Sequence, residues 1–336
     1  MVEVDALSRD VLRAMSEDCR RSISSLAKEL HCAPKTLKKR LAILEDEYKL
    51  RYTLELDEHE LGFDAAYVVL IRFSKPPDEK VIRNALAKYP TAQFAAFTKG
   101  DFDMILFAAA RTPYEFARWA NYFRQALSDF MDSWEGSVVT GYWFGFFPLN
   151  EDVLTDLPIE ESKRIMLRLL LRNARISLKE IARRMNMPVS TAQYHLRKLL
   201  SSKAVRRATI VMERPPLLTH YVGAHSYKLT HEFLKRDLKV REFITSEGGF
   251  EPMNRLLMAF NMSAASFDDV ILYAVDNTQD GHQFNEKLDE TLKPELRSSR
   301  SAFITKVLKG NVPCRKLNVK ENYRVTTMGI YDFMEK

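Results

Sequence analysis

A chain of 336 residues, 46% hydrophobic and 29% charged, has an ordinary globular composition and the length of two or more domains. Its longest apolar runs, such as Met104 to Ala110, fall far short of the roughly 20 residues of a spanning helix, and Met1-Val2-Glu3-Val4-Asp5 lacks the basic start and apolar core of a secretory signal. Three scattered cysteines (Cys19, Cys32, Cys314) without a CxxC pair exclude a disulfide scaffold and a structural zinc site, so the expectation is a cytoplasmic protein with no membrane partner, cofactor or metal.

The formal charge of +6 is unevenly spread. From Glu160 to Arg214 there are 14 Lys/Arg against 4 Asp/Glu, whereas from Thr53 to Asn150 there are 9 against 13. A basic block inside a near-neutral chain is the footprint of a phosphate-binding face.

In chain order, Leu7, Val11, Leu12 and Met15 form an apolar stripe at helical spacing. Ser22 or Ser24 can cap a second helix that turns Leu26, Ala27 and Leu30 inward. The turn His31-Cys32-Ala33-Pro34 leads into a third helix, about Lys35 to Glu47, with Leu37, Leu41 and Leu44 facing in. Thr53-Leu54-Glu55-Leu56 alternates like a strand and reads as a wing. Beyond it come a strand at Ala65–Phe73, a helix at Asp78–Lys88, strands at Ala92–Phe97 and Asp103–Ala109, a helix at Pro113–Phe130 and an aromatic strand at Val138–Phe147. That β-α-β-β-α-β order is the ferredoxin-like arrangement. Tyr142 to Phe147 sets large apolar groups on both strand faces, which reads as an assembly surface.

The second half repeats the first. Residues 10–51 and 165–206 align without a gap at an offset of 155: Leu26-Ala27 on Ile181-Ala182, Thr36 on Thr191, Leu41 on Leu196, Arg20 on Arg175, Ser22 on Ser177 and Arg51 on Arg206. Ser177 and Ser190 are the expected helix caps here. Tyr221–Leu229, Leu256–Met262, Val270–Val275 and Ala302–Leu308 read as strands, and Glu232–Thr245 and His282–Leu292 as helices. The expected fold is therefore α+β, with two winged helix-turn-helix domains each followed by a ferredoxin-like domain. The boundaries are 1–56 and 57–149, a linker at 150–161, then 162–214, 215–312 and a C-terminal extension at 313–336.

Helix, turn, helix with polar and basic residues opening the second helix is what reading the major groove requires. The expected partner is double-stranded DNA, met by Lys35, Thr36, Lys38, Lys39 and Arg40 in the first copy and by Ser190, Thr191, Gln193, Tyr194, His195 and Arg197 in the second. Arg51, Arg183, Arg184 and Arg206 are also expected at the DNA, and Arg183, Arg184 and Arg197 are expected to contact phosphates.

Arg175-Ile176-Ser177-Leu178-Lys179-Glu180-Ile181-Ala182, Asp57-Glu58-His59-Glu60-Leu61-Gly62-Phe63 and Thr98-Lys99-Gly100-Asp101-Phe102-Asp103 carry a resemblance to the Lrp/AsnC (feast/famine) regulators, here duplicated in one polypeptide. The resemblance implies RAM-type α/β domains that mediate homo-oligomers, and a small effector such as an amino acid bound near a Gly-x-x-Asp turn. That places the effector site at Gly100, Asp101 and Asp103. The matching stretch of the second copy, Ser263 to Asp269, has no glycine. The same scaffold serves siroheme decarboxylases, for which the candidate residues are His220, His225, His231, Arg206, Arg207 and Arg214. His220 and His225, five apart on one strand, point to opposite faces. With no GxxxxGKS, GxGxxG, HExxH or GxSxG motif, the expectation is a regulator and not an enzyme.

Overall fold

The computed structural model describes residues 5–144, 149–155, 157–212, 219–228, 256–263, 266–275, 277–292 and 296–311 of an α+β protein. These fall into two units, each drawn from both halves of the sequence. One holds the described residues before Ala65, those between 149 and 212, and 310–311; the other holds the rest.

The first unit contains two helix-turn-helix segments, α1 (Ala6–Glu17), α2 (Ile23–Glu29), α3 (Pro34–Glu47) and α6 (Glu161–Arg172), α7 (Leu178–Arg184), α8 (Val189–Leu200). Each has an apolar stripe buried at helical spacing, Val11, Met15, Leu26, Leu37, Leu41 and Leu44 in one, Leu167, Leu170, Ile181, Leu196 and Leu199 in the other. Ser22 caps α2 by accepting from Ser25 N at 3.0 Å, and Ser177 caps α7 by accepting from Glu180 N at 3.2 Å. Ser190 is not a cap, because α8 starts one residue earlier, at Val189, behind Pro188. Both turns close alike. His31 and Asn186 take left-handed φ values of 49° and 50°, and Cys32 N and Met187 N donate back to Ala27 O and Ala182 O at 2.9 and 3.0 Å. This is a Schellman closure, built both times without glycine.

The strands that follow, β1 (Leu50–Leu56) and β6 (Val205–Met212), pair antiparallel with each other, so the wings do not stand alone. The contacts around them are reciprocal. Arg20 donates to Ala174 O, and Arg175 Nη1 to Cys19 O at 2.6 Å; Cys19 N donates to Ala208 O at 2.9 Å, and Ala174 N to Tyr52 O at 3.0 Å. The stretch read as a linker is packed: Val153, Leu154 and Leu157 are buried, and Arg172 Nε meets Glu151 at 2.6 Å.

The second unit is a closed eight-stranded barrel. Its elements are β2 (Ala65–Phe73), α4 (Glu79–Ala87), β3 (Ala92–Gly100), β4 (Met104–Ala110), α5 (Pro113–Ala126), β5 (Met131–Phe144), β7 (Thr219–Tyr227), β8 (Leu256–Ser263), β9 (Asp269–Val275), α9 (Thr278–Leu292) and β10 (Leu296–Lys309). Around the barrel the order is β10-β3-β4-β2-β5-β8-β9-β7, so β3-β4-β2-β5 of the first half is joined to β8-β9-β7-β10 of the second through the β5–β8 and β3–β10 pairings. The aromatic strand thus joins the halves by backbone pairing, with Tyr142 opposite Phe260; Gly145 to Phe147 lie outside the described residues, as does the expected helix at Glu232–Thr245.

Strands buried on both faces explain the unbroken apolar runs. On β4, Met104, Leu106 and Ala108 pack with Ile82, Leu86, Trp119 and Phe123 of α4 and α5. Phe107, on the opposite face, meets Phe94 and Phe260 with ring centroids 5.2 and 5.5 Å away.

Candidate nucleic-acid interface

Burial of Leu37, Leu41 and Leu44 fixes which side of α3 faces outward, and Lys35, Thr36, Lys38 and Lys39 stand exposed there. Arg40 is half-buried and paired with Asp5. On α8, Ala192, Leu196 and Leu199 are buried, which leaves Ser190, Gln193, Tyr194 and Arg197 exposed and Thr191 and His195 half-buried. Tyr194 is 63% exposed, with its ring edge-on to His195 at 5.5 Å. Val189, not singled out in the sequence, is 46% exposed beside them. Spacing conceals it, because Val189 stands seven residues before Leu196 and so reads as part of the buried Ala192/Leu196/Leu199 stripe.

The other arginines expected at the DNA are differently placed. Arg183 and Arg184 both lie on Glu180, at 2.7 and 2.6 Å, and hydrogen bonds from Arg183 first and then Arg184 hold that carboxyl down to about 2. Arg206 is only 15% exposed and sits 3.0 Å from Asp57 and 3.2 Å from Glu58, whose side chain is fully buried. Arg51 donates to Asn311 at 2.8 Å. Arg207 pairs with Glu55 across the two wing strands.

The structure brings Gly100, Asp101 and Asp103 together in the turn between β3 and β4, where the aspartates serve the backbone. Asp101 exchanges two bonds with Ser301 of β10: its N–H donates to the Ser301 carbonyl at 2.9 Å, and its carboxylate accepts from Ser301 N at 2.7 Å. The Asp103 carboxylate accepts from Phe73 N at 2.8 Å. In the second half Asp268 does the same for Tyr227 N at 2.7 Å. The aspartate of this turn therefore has a structural duty in both halves, with or without the glycine.

The tetrapyrrole candidates among the described residues are each engaged within their own unit. Arg206 and Arg207 are held by carboxylates of the first unit, and Arg214 and His231 lie outside the described residues. His225 is fully buried, with Nδ1 2.7 Å from Asp269, whose other oxygen accepts from the Tyr227 hydroxyl at 2.5 Å. Its Nε2 has no hydrogen-bond partner among the described residues and lies 4.0 Å from Asp289 of α9. Burial works against charge on His225, but Asp269 and then Asp289 outweigh it and raise its pKa. His220, on the opposite face of the strand, is pushed down to about 4 by burial. Burial also pushes the Cys19 thiol up to about 12, whereas Cys32 in the first turn is only half-buried. No helix among the described residues is long and apolar enough to cross a membrane.

Residues 159–205 match a family described as winged helix-turn-helix DNA-binding. Over 119 residues the chain is 27% identical to an uncharacterized HTH-type transcriptional regulator of Pyrococcus horikoshii, which spans 35% of this chain and 80% of the relative. It thus carries a helix-turn-helix of the DNA-binding kind and is related, at low identity, to transcription regulators. Among solved structures, the siroheme decarboxylase NirDL superposes on 94% of this chain and 95% of its own with a TM-score of 0.57 and 14% identity. Escherichia coli AsnC matches 41% of this chain at 19% identity with a TM-score of 0.34. The expectation that the chain is not an enzyme is corrected by the first of these: the full-length architecture is one that an enzyme uses, and at 14% identity the likeness carries the fold alone.

Proposed function

We propose that this protein is a sequence-specific transcription regulator whose two winged helix-turn-helix segments grip DNA as a covalent pseudo-dimer. In this reading the chain is a tandem duplication with heads at 1–56 and 162–214 and RAM-type domains at 57–149 and 215–312. The observation that carries it is the reciprocal packing of two helix-turn-helix segments in one unit, each with the outward side of its third helix exposed. Joining the heads sets the local concentration of the second at the order of millimolar, so two weak grips make a firm one. Half-sites of paired heads lie about 34–36 Å apart. Because α3 and α8 present different side chains, the preferred site is asymmetric.

The closed barrel pairs its strand edges within one chain, so homo-oligomers assemble through helix faces. A small effector such as an amino acid acts at the barrel unit by altering that assembly.

The test is selection of sites from random duplex DNA by the full chain, with salt titration of the winning site. An asymmetric motif and a linear fall of log affinity with log salt are expected. A strictly palindromic motif would sink the pseudo-dimer. A second reading rests on the full-length likeness to a siroheme decarboxylase: absence of DNA binding, together with a shifted absorption spectrum on adding an iron tetrapyrrole, would put a tetrapyrrole enzyme in its place.

A further inference from the structure

The linear charge count makes the second head the more cationic, yet folding spends much of that charge. Arg164 pairs with Glu161, Arg172 with Glu151, Arg183 and Arg184 with Glu180, Arg206 with Asp57 and Glu58, and Arg207 with Glu55. Several of these acids come from outside the basic block, so the local count missed them. On α3, by contrast, Lys35, Lys38 and Lys39 are exposed and meet no carboxylate among the described residues.

The opening turns of the two third helices therefore differ in kind. That of α3 is a row of lysines around Thr36. That of α8 is neutral up to Arg197 and offers Val189, Ser190, Gln193 and Tyr194. Val189 and Tyr194 stay in water although α8 has a well-filled apolar side of its own.

Resting on the DNA-binding reading above, we infer that the two heads divide the work: α8 reads base edges, and α3 holds the phosphate backbone with little regard to sequence. A glutamine amide pairs bidentately with adenine N6 and N7, and an aliphatic side chain contacts the thymine methyl group. Gln193 and Val189 thus fit a half-site containing A·T pairs. Lysine ammonium groups are compact point charges suited to phosphate, and each one engaged releases counterions. The site selected by the protein has one well-defined, A·T-bearing half and one degenerate half.

The experiment compares the full chain with Gln193→Ala, Val189→Ala and a Lys35→Gln/Lys38→Gln/Lys39→Gln triple variant. All five positions are exposed, and melting curves check that each variant stays folded. Gln193→Ala should weaken the selected site roughly 5- to 150-fold, leave random duplex unaffected and preserve the salt slope. Val189→Ala should relax preference at one A·T pair. The triple variant should lower the slope of log affinity on log salt by about 2 to 3 units and leave the motif intact. Two equally informative half-sites, or a triple variant with an unchanged slope, would overturn the division of labour while leaving the regulator reading standing. Failure of the unmodified chain to bind any duplex overturns that reading, and this one with it.

Discussion

Thr53 and Thr209 face one another in the β1–β6 pairing, and each hydroxyl reaches the end of a helix from the other half of the sequence. Thr53 Oγ1 donates to Leu171 O at 2.8 Å, near the end of α6, and Thr209 Oγ1 donates to Ser16 O at 2.7 Å, near the end of α1. The last carbonyls of a helix have no partner within it, so these hydroxyls satisfy groups that burial would otherwise leave short. The local pseudo-twofold axis passes between the two threonines, and each half completes the other.

Thr53→Val and Thr209→Val keep the side-chain shape and delete the hydroxyl. Each should cost about 1 kcal/mol in urea denaturation, and the two costs should be similar to one another. A variant that loses nothing would show that water replaces the hydroxyl there, and the reciprocal tie would then contribute no stability.

The sequence repeat sets Arg206 against Arg51, and both are expected at the DNA. In the ladder Glu55 faces Arg207 and Leu56 faces Val205, so Arg206 is the residue skipped at a bulge. The bulge turns its side chain onto Asp57 and the fully buried Glu58. Arg206→Ala should strand those carboxylates and cost roughly 3–5 kcal/mol of stability, as breaking a buried pair does. Arg206→Gln, which removes the charge, should leave the salt slope of DNA binding unchanged when measured at a temperature where it is folded. A lower slope would return Arg206 to the phosphate contacts.

Local patterns were readable along the chain because they depend on near neighbours. The stripe of Leu37, Leu41 and Leu44 gives α3, and Ser22 and Ser177 mark helix starts. What could not be read depends on distant pairings. In the structure the repeat offset is 155 up to Leu50/Val205 and 156 from Arg51/Arg207 through Thr53/Thr209, and the residue inserted between them, Arg206, is sent inward. The charge count over Glu160–Arg214 likewise could not include Glu55, Asp57, Glu58 and Glu151, which neutralise arginines from elsewhere in the sequence. The Gly-x-x-Asp turn was legible as a hairpin, but the backbone duty of Asp103 emerges only when Phe73 is placed beside it.

Gly100 and Gly62 separate two demands that a sequence cannot tell apart. Both have positive φ, +148° and +82°. A Cβ on Gly62 meets nothing within 4 Å, whereas one on Gly100 lies 2.3 Å from Ser301 O and 2.8 Å from Ala302 Cα, at the join of β3 and β10. Gly62→Ala should cost about 1–2 kcal/mol, the price of left-handed backbone alone. Gly100→Ala should cost clearly more, because backbone on a neighbouring strand must move. Equal losses in paired melts would show that the β3–β10 join yields easily.

His220 and His225 make opposite demands on pH. Burial holds His220 down to about 4 in the folded chain, against about 6.5 unfolded. Between those values only the unfolded state takes up this proton, so acidification below pH 6.5 costs stability, roughly 3 kcal/mol by pH 4 from this residue alone. His225 has its folded pKa raised, by Asp269 and Asp289 against the cost of burial. Its stabilising contribution is complete below the unfolded pKa of about 6.5 and fades as pH rises through the folded value. The two slopes meet, so stability contributed by these histidines peaks near pH 6.5. Melting temperatures from pH 4.5 to 9 should trace that peak. His220→Phe should flatten its acid side and His225→Asn its alkaline side. A His220→Phe profile identical in shape to that of the unmodified chain would mean that His220 takes up its proton without unfolding, through water that reaches the strand.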